Sequence, residues 1–141
     1  MENRKIVVAY DGSSYSGKAL ALAATLAKAL TADVVLVSVI DIVHQMNDEV
    51  ANFDTPYGVF KKDAEYSIES GVAKAKELGL TATGIVLEGN PPEEIIKYAK
   101  SEHADMIVVG TRGKGGFQQL LLGSTAHALV TYADIPVVVA K

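Results

Sequence analysis

Between residues 110 and 125 the chain reads Gly110-Thr111-Arg112-Gly113-Lys114-Gly115-Gly116, then Phe117-Gln118-Gln119-Leu120-Leu121-Leu122, then Gly123-Ser124-Thr125. Four glycines in the first seven residues exceed what a connector needs. Glycine permits positive φ and lets a polyanion approach the backbone without meeting a Cβ atom. Ser124 reads as the N-cap of a following helix, so the N–H groups of residues 124 to 126 would be open donors, and a helix N-terminus of that kind is an anion site. Arg112 and Lys114 add positive charge, and the Ser124 and Thr125 hydroxyls add donors. The chemistry this segment suits is the holding of phosphate; a flexible connector with an ordinary cap would explain the serine but not the glycines. Two other phosphate patterns fail. Lys114 is followed by Gly115 where a Walker loop needs Ser or Thr, and a dinucleotide fingerprint would need a small residue where Gln118 stands.

A second polar cluster, Asp11-Gly12-Ser13-Ser14, follows a short apolar run, and Asp41 ends another such run. Asp11 fits either a turn aspartate or an acid facing a ligand, and Ser13 and Ser14 read as helix caps. His44, His103 and His127 show no metal-ligand spacing and read as ordinary histidines, His127 being the one on the helix that follows the glycine-rich segment. The chain has no cysteine, which excludes disulfides, thiolate metal sites and a Cys nucleophile. A net charge of −4 gives no electrostatic reason for a nucleic-acid or anionic-membrane partner. Apolar runs fall short of the ~18 residues of a membrane span, and Met1 to Lys5 leads into no signal-peptide pattern, so the expected location is cytoplasmic.

The elements that must position these residues alternate in type. Ile6–Tyr10, Val34–Ile40, Ala82–Leu87, Ala104–Val109 and Ile135–Ala140 are short, apolar and rich in β-branched residues, as strands covered on both faces are. Tyr15–Leu30, with Leu22, Leu26 and Leu30 at helical spacing, reads as the first helix. Lys61–Leu78 reads as the second, with Ile68, Val72, Ala75 and Leu78 on one side, Glu65, Glu69, Lys74 and Lys76 on a solvated side, and Gly79 as its stop. Pro92-Glu93-Glu94 opens a third, and Ser124–Ala133 is the last. Residues 42 to 56 read as a loop with a helical turn. Phe53, Tyr57 and Phe60 fit either loop packing or one wall of a cleft.

The βαβαβαβαβ order, in one domain spanning residues 1–141, predicts a doubly wound, Rossmann-like α/β fold. Its five-stranded parallel sheet carries helices on both faces. Ligands in such sheets sit beyond the carboxyl ends of the strands where the order reverses. An order of 3-2-1-4-5 puts that reversal between strands one and four, whose carboxyl ends are Asp11 and Gly110. The two unusual segments would then face one crevice.

The spacing Gly110, two residues, Gly113, nine residues, Gly123-Ser124 resembles the ATP-binding motif of the universal stress protein family. Ile6–Ser13, Val37–Asp41, Glu88-Gly89-Asn90-Pro91 and Ile135–Val139 resemble its opening strand, second strand, recurrent turn and closing strand, so the likeness covers nearly the whole chain. The resemblance to the ATP-binding branch implies roles by position. Asp11 would lie near the adenosine or the metal-bound phosphates, indirectly through Mg. Val39 would line the adenine slot with Ala9 nearby, and Val109 and Gly110 would approach ribose and phosphates. Gly113, Gly123, Ser124 and Thr125 would hold the phosphate chain, with Arg112 able to pair with it. The Gly115-Gly116 pair is a small departure from the family's pattern.

The resemblance also implies a homodimer through strand 135–140 and a role as an ATP-responsive regulator in stress responses. Phosphoryl transfer needs a positioned metal and an oriented nucleophile besides phosphate donors. The residues offer no such set, so binding without fast turnover is the first expectation. Slow ATP hydrolysis or autophosphorylation at the same site is a second, and a dimeric scaffold that uses no nucleotide is a third.

Overall fold

The structure, a computed structural model, describes residues 3–41, 57–112 and 122–141. The expectations for residues 42–56, His44, Phe53 and Gly113 to Gly116 lie outside that range. In chain order the elements are β1 (Arg4–Ala9), α1 (Ser14–Leu30), β2 (Ala32–Asp41), α2 (Tyr57–Glu77), β3 (Ala82–Gly89), α3 (Pro91–Ser101), β4 (Met106–Gly110), α4 (Ser124–Tyr132) and β5 (Val137–Ala140). The strands form one sheet in the expected order β3-β2-β1-β4-β5, parallel throughout as the alternation of elements predicts.

The central strands β1, β2 and β4 are apolar over most of their length because each feeds two cores. Ile6, Val8, Val34, Leu36 and Val108 face α1 and α2, and pack with Leu20 and Ile68. The alternate residues Val7, Val35, Val37, Ile107 and Val109 face α3 and α4, and pack with Ile95 and Leu129. Burying one such Leu or Ile side chain stabilises the fold by roughly 1.5–3 kcal/mol, so both faces contribute. The buried stripe of α1 is mostly alanine: Ala19, Ala23, Ala24 and Ala27 lie inside with Leu20, while Leu22 and Leu26 flank it half-buried. Small side chains let that helix approach β1 and β4 closely, which matters for the site.

The ends of elements depart from the pattern where capping and packing act. Ser13, not Ser14, caps α1, its hydroxyl accepting from the Ser16 N–H at 3.2 Å. Gly79 takes φ +81° after α2, as a helix stop requires. Leu78 faces out at 38% exposure, and its carbonyl accepts a 2.6 Å hydrogen bond from Lys28 Nζ. The recurrent turn enters α3 one residue early, with Asn90 as the cap and Pro91 as the first helical residue. β4 begins two residues later than the apolar run, because the Asp105 carboxylate turns back to accept from the Lys5 N–H at 2.8 Å.

Candidate functional site

Asp11 and Gly110 stand where a reversal of strand order between β1 and β4 would put them. β1 pairs with β2 on one side and β4 on the other, yet α1 and α4 leave these two strands on opposite faces. A cleft of about 670 Å³ opens over the carboxyl ends of β2, β1 and β4. Ala9, Asp11, Val39, Val109, Gly110, Arg112, Gly123, Ser124 and Thr125 all line it. Of the residues expected to form the site, Gly113 alone lies outside the described residues.

β2 is longer than its neighbour. Its pairing with β1 stops at Ala9↔Val37, capped by a 2.9 Å bond from the Tyr10 N–H to Val37 O. β2 runs on to Asp41 and keeps pairing with β3 as far as Asp41↔Gly89. The β1-side backbone edge of residues 39 to 41 therefore borders the cleft. This gives a physical reason for Val39 to stand there that its side chain does not.

At the other end the structure corrects one detail. Gly123, with φ −69° and ψ 167°, is the N-cap of α4, and Ser124 is its first helical residue. The His127 N–H closes the first turn onto Gly123 O at 2.9 Å. The N–H groups of Ser124, Thr125 and Ala126 precede any intrahelical acceptor, so the donor array survives the change of cap. Gly123 also donates to Thr111 O at 2.6 Å, drawing the start of α4 against the end of β4.

The glycines are needed for a different reason than positive φ. Neither Gly110 nor Gly123 adopts it. A Cβ at Gly110 would stand 2.5 Å from the Tyr15 carbonyl oxygen, and one at Gly123 would stand 3.1 Å from Arg112 Cα. Both are glycine because another stretch of backbone passes against them. Close packing of α1 on β4 and of the α4 cap on residues 111–112 brings the walls of the cleft together.

Charge is distributed unevenly along the cleft. Arg112 is the one cationic side chain among its described lining residues and sits at the α4 end. Asp11, Asp41 and Asp63 supply carboxylates elsewhere on the wall. Asp11 Oδ1 accepts from the Ser13 N–H at 2.9 Å, so this residue shapes the turn into α1 as well as bordering the cleft. Tyr10, beside it, is 2% exposed, and burial first, then the Asp11 charge, raises its pKa above the usual 10.0. Phe60 also lines the cleft; His127 is exposed and does not.

Sequence reasoning missed several further lining residues, among them Tyr10, Ser38, Asp63, Ser67, Pro91 and Ile95. Ser38 is a polar residue inside an otherwise apolar strand, a signal that could have been used. The placement of Asp63 and Ser67 depends on how α2 docks, which no local pattern encodes.

The chain belongs to the universal stress protein family, whose model matches residues 2–141. The universal stress protein MJ0531 of Methanocaldococcus jannaschii is 32% identical over 139 residues, covering 98% of this chain and 82% of that relative. Among solved structures, MJ0577 of the same organism superposes with a TM-score of 0.78 at 27% identity, over 100% of this chain and 97% of that one. A universal stress protein from Archaeoglobus fulgidus in complex with dAMP shares the fold, with a TM-score of 0.74 at 19% identity over 99% and 98% of the two chains. No helix among the described residues is long and apolar enough to cross a membrane.

Proposed function

We propose that this chain binds ATP in the cleft above β2, β1 and β4, and acts as a nucleotide-responsive regulator in stress responses. The observation that carries the reading is convergence. Nine residues picked out by segment chemistry and family likeness, from β1, β2, β4 and α4, line one cleft. The fit follows from the donor set. The open N–H groups of α4, the Ser124 and Thr125 hydroxyls and Arg112 suit a phosphate chain. Val39, Ala9 and Val109 give an apolar wall for a base. That a relative of this fold carries dAMP supports an adenine nucleotide as the class of ligand.

Asp11 and a triphosphate would repel one another across the cleft, so a divalent cation, with Mg as the proposed ion, would lie between them. When bound, the ion supplies charge neutralisation, while α4 and Arg112 orient the phosphates. We assign the chain no fast phosphoryl transfer. The open edge of β5 pairs with β5 of a second copy, because a parallel strand with one neighbour leaves a row of backbone groups unpaired.

Two measurements test this. Denaturing the purified protein and taking the absorbance and mass of what is released should yield an adenine nucleotide. Titration calorimetry on nucleotide-free protein should give Mg-dependent ATP binding. No binding at millimolar ATP would overturn the reading, and repeated turnovers of labelled ATP abolished by Asp11→Ala would overturn the assignment of binding without chemistry.

A further inference from the structure

A second concave surface lies between α3 and α4. It is a groove of about 650 Å³ lined by the half-buried Pro92, Ile96 and Ala128, and Tyr132 stands on its rim at 73% exposure. Pro92 and Ile96 are one turn apart on α3, as Ala128 and Tyr132 are on α4, so each helix presents an apolar stripe to the groove. Covering an exposed tyrosine ring is favourable, and tyrosine anchors interfaces because its ring is apolar while its hydroxyl can stay wet.

The rim of the groove is charged, and the charges are ordered. Glu93, Lys97 and Lys100 follow one another at helical spacing along α3. A carboxylate therefore marks the N-terminal end of the groove and two ammonium groups the other, with about 10 Å of helix between Glu93 and Lys100 at a rise of 1.5 Å per residue. Lys100 shares a 3.0 Å exposed pair with Asp134, and Lys97 forms no ion pair with a described residue. An apolar floor inside a polar rim is the layout of a protein–protein site.

A groove of two turns between two helices fits the ridge of a third. We propose that it is the docking site for an amphipathic helix of a partner protein, whose apolar residues at i, i+3 or i+4, and i+7 fill the groove and cover Tyr132. The acidic end of that helix lies against Lys97 and Lys100, and its basic end against Glu93. α3 packs over β2 and β3 while α4 packs beside β5, so the groove faces away from the open edge of β5 and a partner there leaves that edge free for a second copy.

The groove and the cleft share their walls. Pro91 and Ile95 line the cleft where their neighbours Pro92 and Ile96 line the groove, and Ala126 lines the cleft two residues before Ala128. Resting on the nucleotide reading, a ligand that holds the start of α4 fixes the spacing of α3 and α4, and the partner helix reads that spacing. Each occupant then changes the affinity for the other by the same factor.

Selection from a displayed library of random twelve-residue peptides on the whole chain tests this, followed by titration of the enriched peptides against wild type and variants. Enriched peptides should carry apolar residues at helical spacing and Asp or Glu at one end. Tyr132→Ala should weaken them at least tenfold, the scale of an aromatic anchor. Lys97→Glu should weaken them about tenfold, through one exposed pair lost and one repulsion gained. Val130→Ala, exposed on α4 but outside the groove, should leave them unchanged, with melting curves showing that all three variants fold. A selection that enriches no such pattern, or peptides that bind Tyr132→Ala and Lys97→Glu like the wild type, would overturn the docking site. So would self-association of the wild type that Tyr132→Ala abolishes, since a second copy would then fill the groove. Equal peptide affinity with and without ATP, in protein that binds ATP, would overturn the coupling alone. A wild type that binds no ATP would sink the nucleotide reading and the coupling together, while peptide binding sensitive to Tyr132 and Lys97 would still uphold the docking site.

Discussion

Replacing Gly110 by alanine should damage both fold and site, and the structure sets the size of the effect. The added Cβ would lie 2.5 Å from the Tyr15 carbonyl oxygen, 2.7 Å from its carbonyl carbon and 3.0 Å from its Cβ. Ordinary contact begins near 3.4 Å, so the end of β4 and the first turn of α1 must part by about 0.9 Å. The closest atoms are backbone, and no rotamer change can absorb the clash. Overpacking of this sort costs about 1–3 kcal/mol, and a backbone clash belongs at the upper end. At the size of this domain about 3 kcal/mol lowers Tm by about 6–12 °C. The shift also moves the turn that carries Asp11, so ATP affinity should fall with stability. Gly17→Ala, in the same helix, is the control. A Cβ there meets nothing within 4 Å, and the change should stabilise by roughly 1 kcal/mol through helix propensity. Both variants would be melted without nucleotide, followed by circular dichroism at one protein concentration. If Gly110→Ala melts with the wild type while Gly17→Ala behaves as expected, the close-packing account of Gly110 is wrong.

Three further outcomes follow from named contacts. Lys28→Met removes the 2.6 Å bond to Leu78 O at the C-terminus of α2, and urea titration should show a loss of about 0.5–1.5 kcal/mol. Added salt should shrink that difference. Asp11→Ala removes the acceptor for the Ser13 N–H; it should cost about 0.5–1 kcal/mol of stability but lower Mg·ATP affinity by about tenfold, a split that calorimetry and melting together reveal. Tyr10 has a folded pKa raised above 10.0, by burial and then by Asp11. The folded state therefore keeps its phenolic proton where the unfolded state has lost it, and stability is full below about pH 10 and falls as pH rises beyond. Urea titrations across that range should show the decline, flattened in Tyr10→Phe; the slope that remains includes Tyr98, raised by burial and then by Glu102.

Much of the fold was legible because each strand repeats the same information. A run such as Val34–Val37 has no polar face, which demands cover on both sides and hence crossovers and parallel pairing. The proposed phosphate end of the site could be nominated for a similar reason. Gly110, Arg112, Gly123, Ser124 and Thr125 are close in sequence, and their types state their chemistry without reference to the rest of the chain.

Capping was less legible, since Gly123 and Ser124 are both acceptable caps. The bond from the Gly123 N–H to Thr111 O decides between them. The stripe of Leu22, Leu26 and Leu30 on α1 was a misleading guide to its buried face, because a helix packed this closely on the sheet buries mainly small residues, with Leu20 the one leucine among them.

By itself, then, the sequence determined the alternation of elements, the parallel sheet, the family and the glycine-rich segment proposed to hold phosphate, all of which rest on local pattern or contiguous motif. Tertiary structure alone decided that β2 outruns β1, that α2 brings Ser67 and Asp63 into the same cleft as Tyr10 and Ser38, and that Gly110 is glycine for the sake of Tyr15. Each of these joins residues tens of positions apart, and only the docking of whole helices on the sheet puts them within reach of one another.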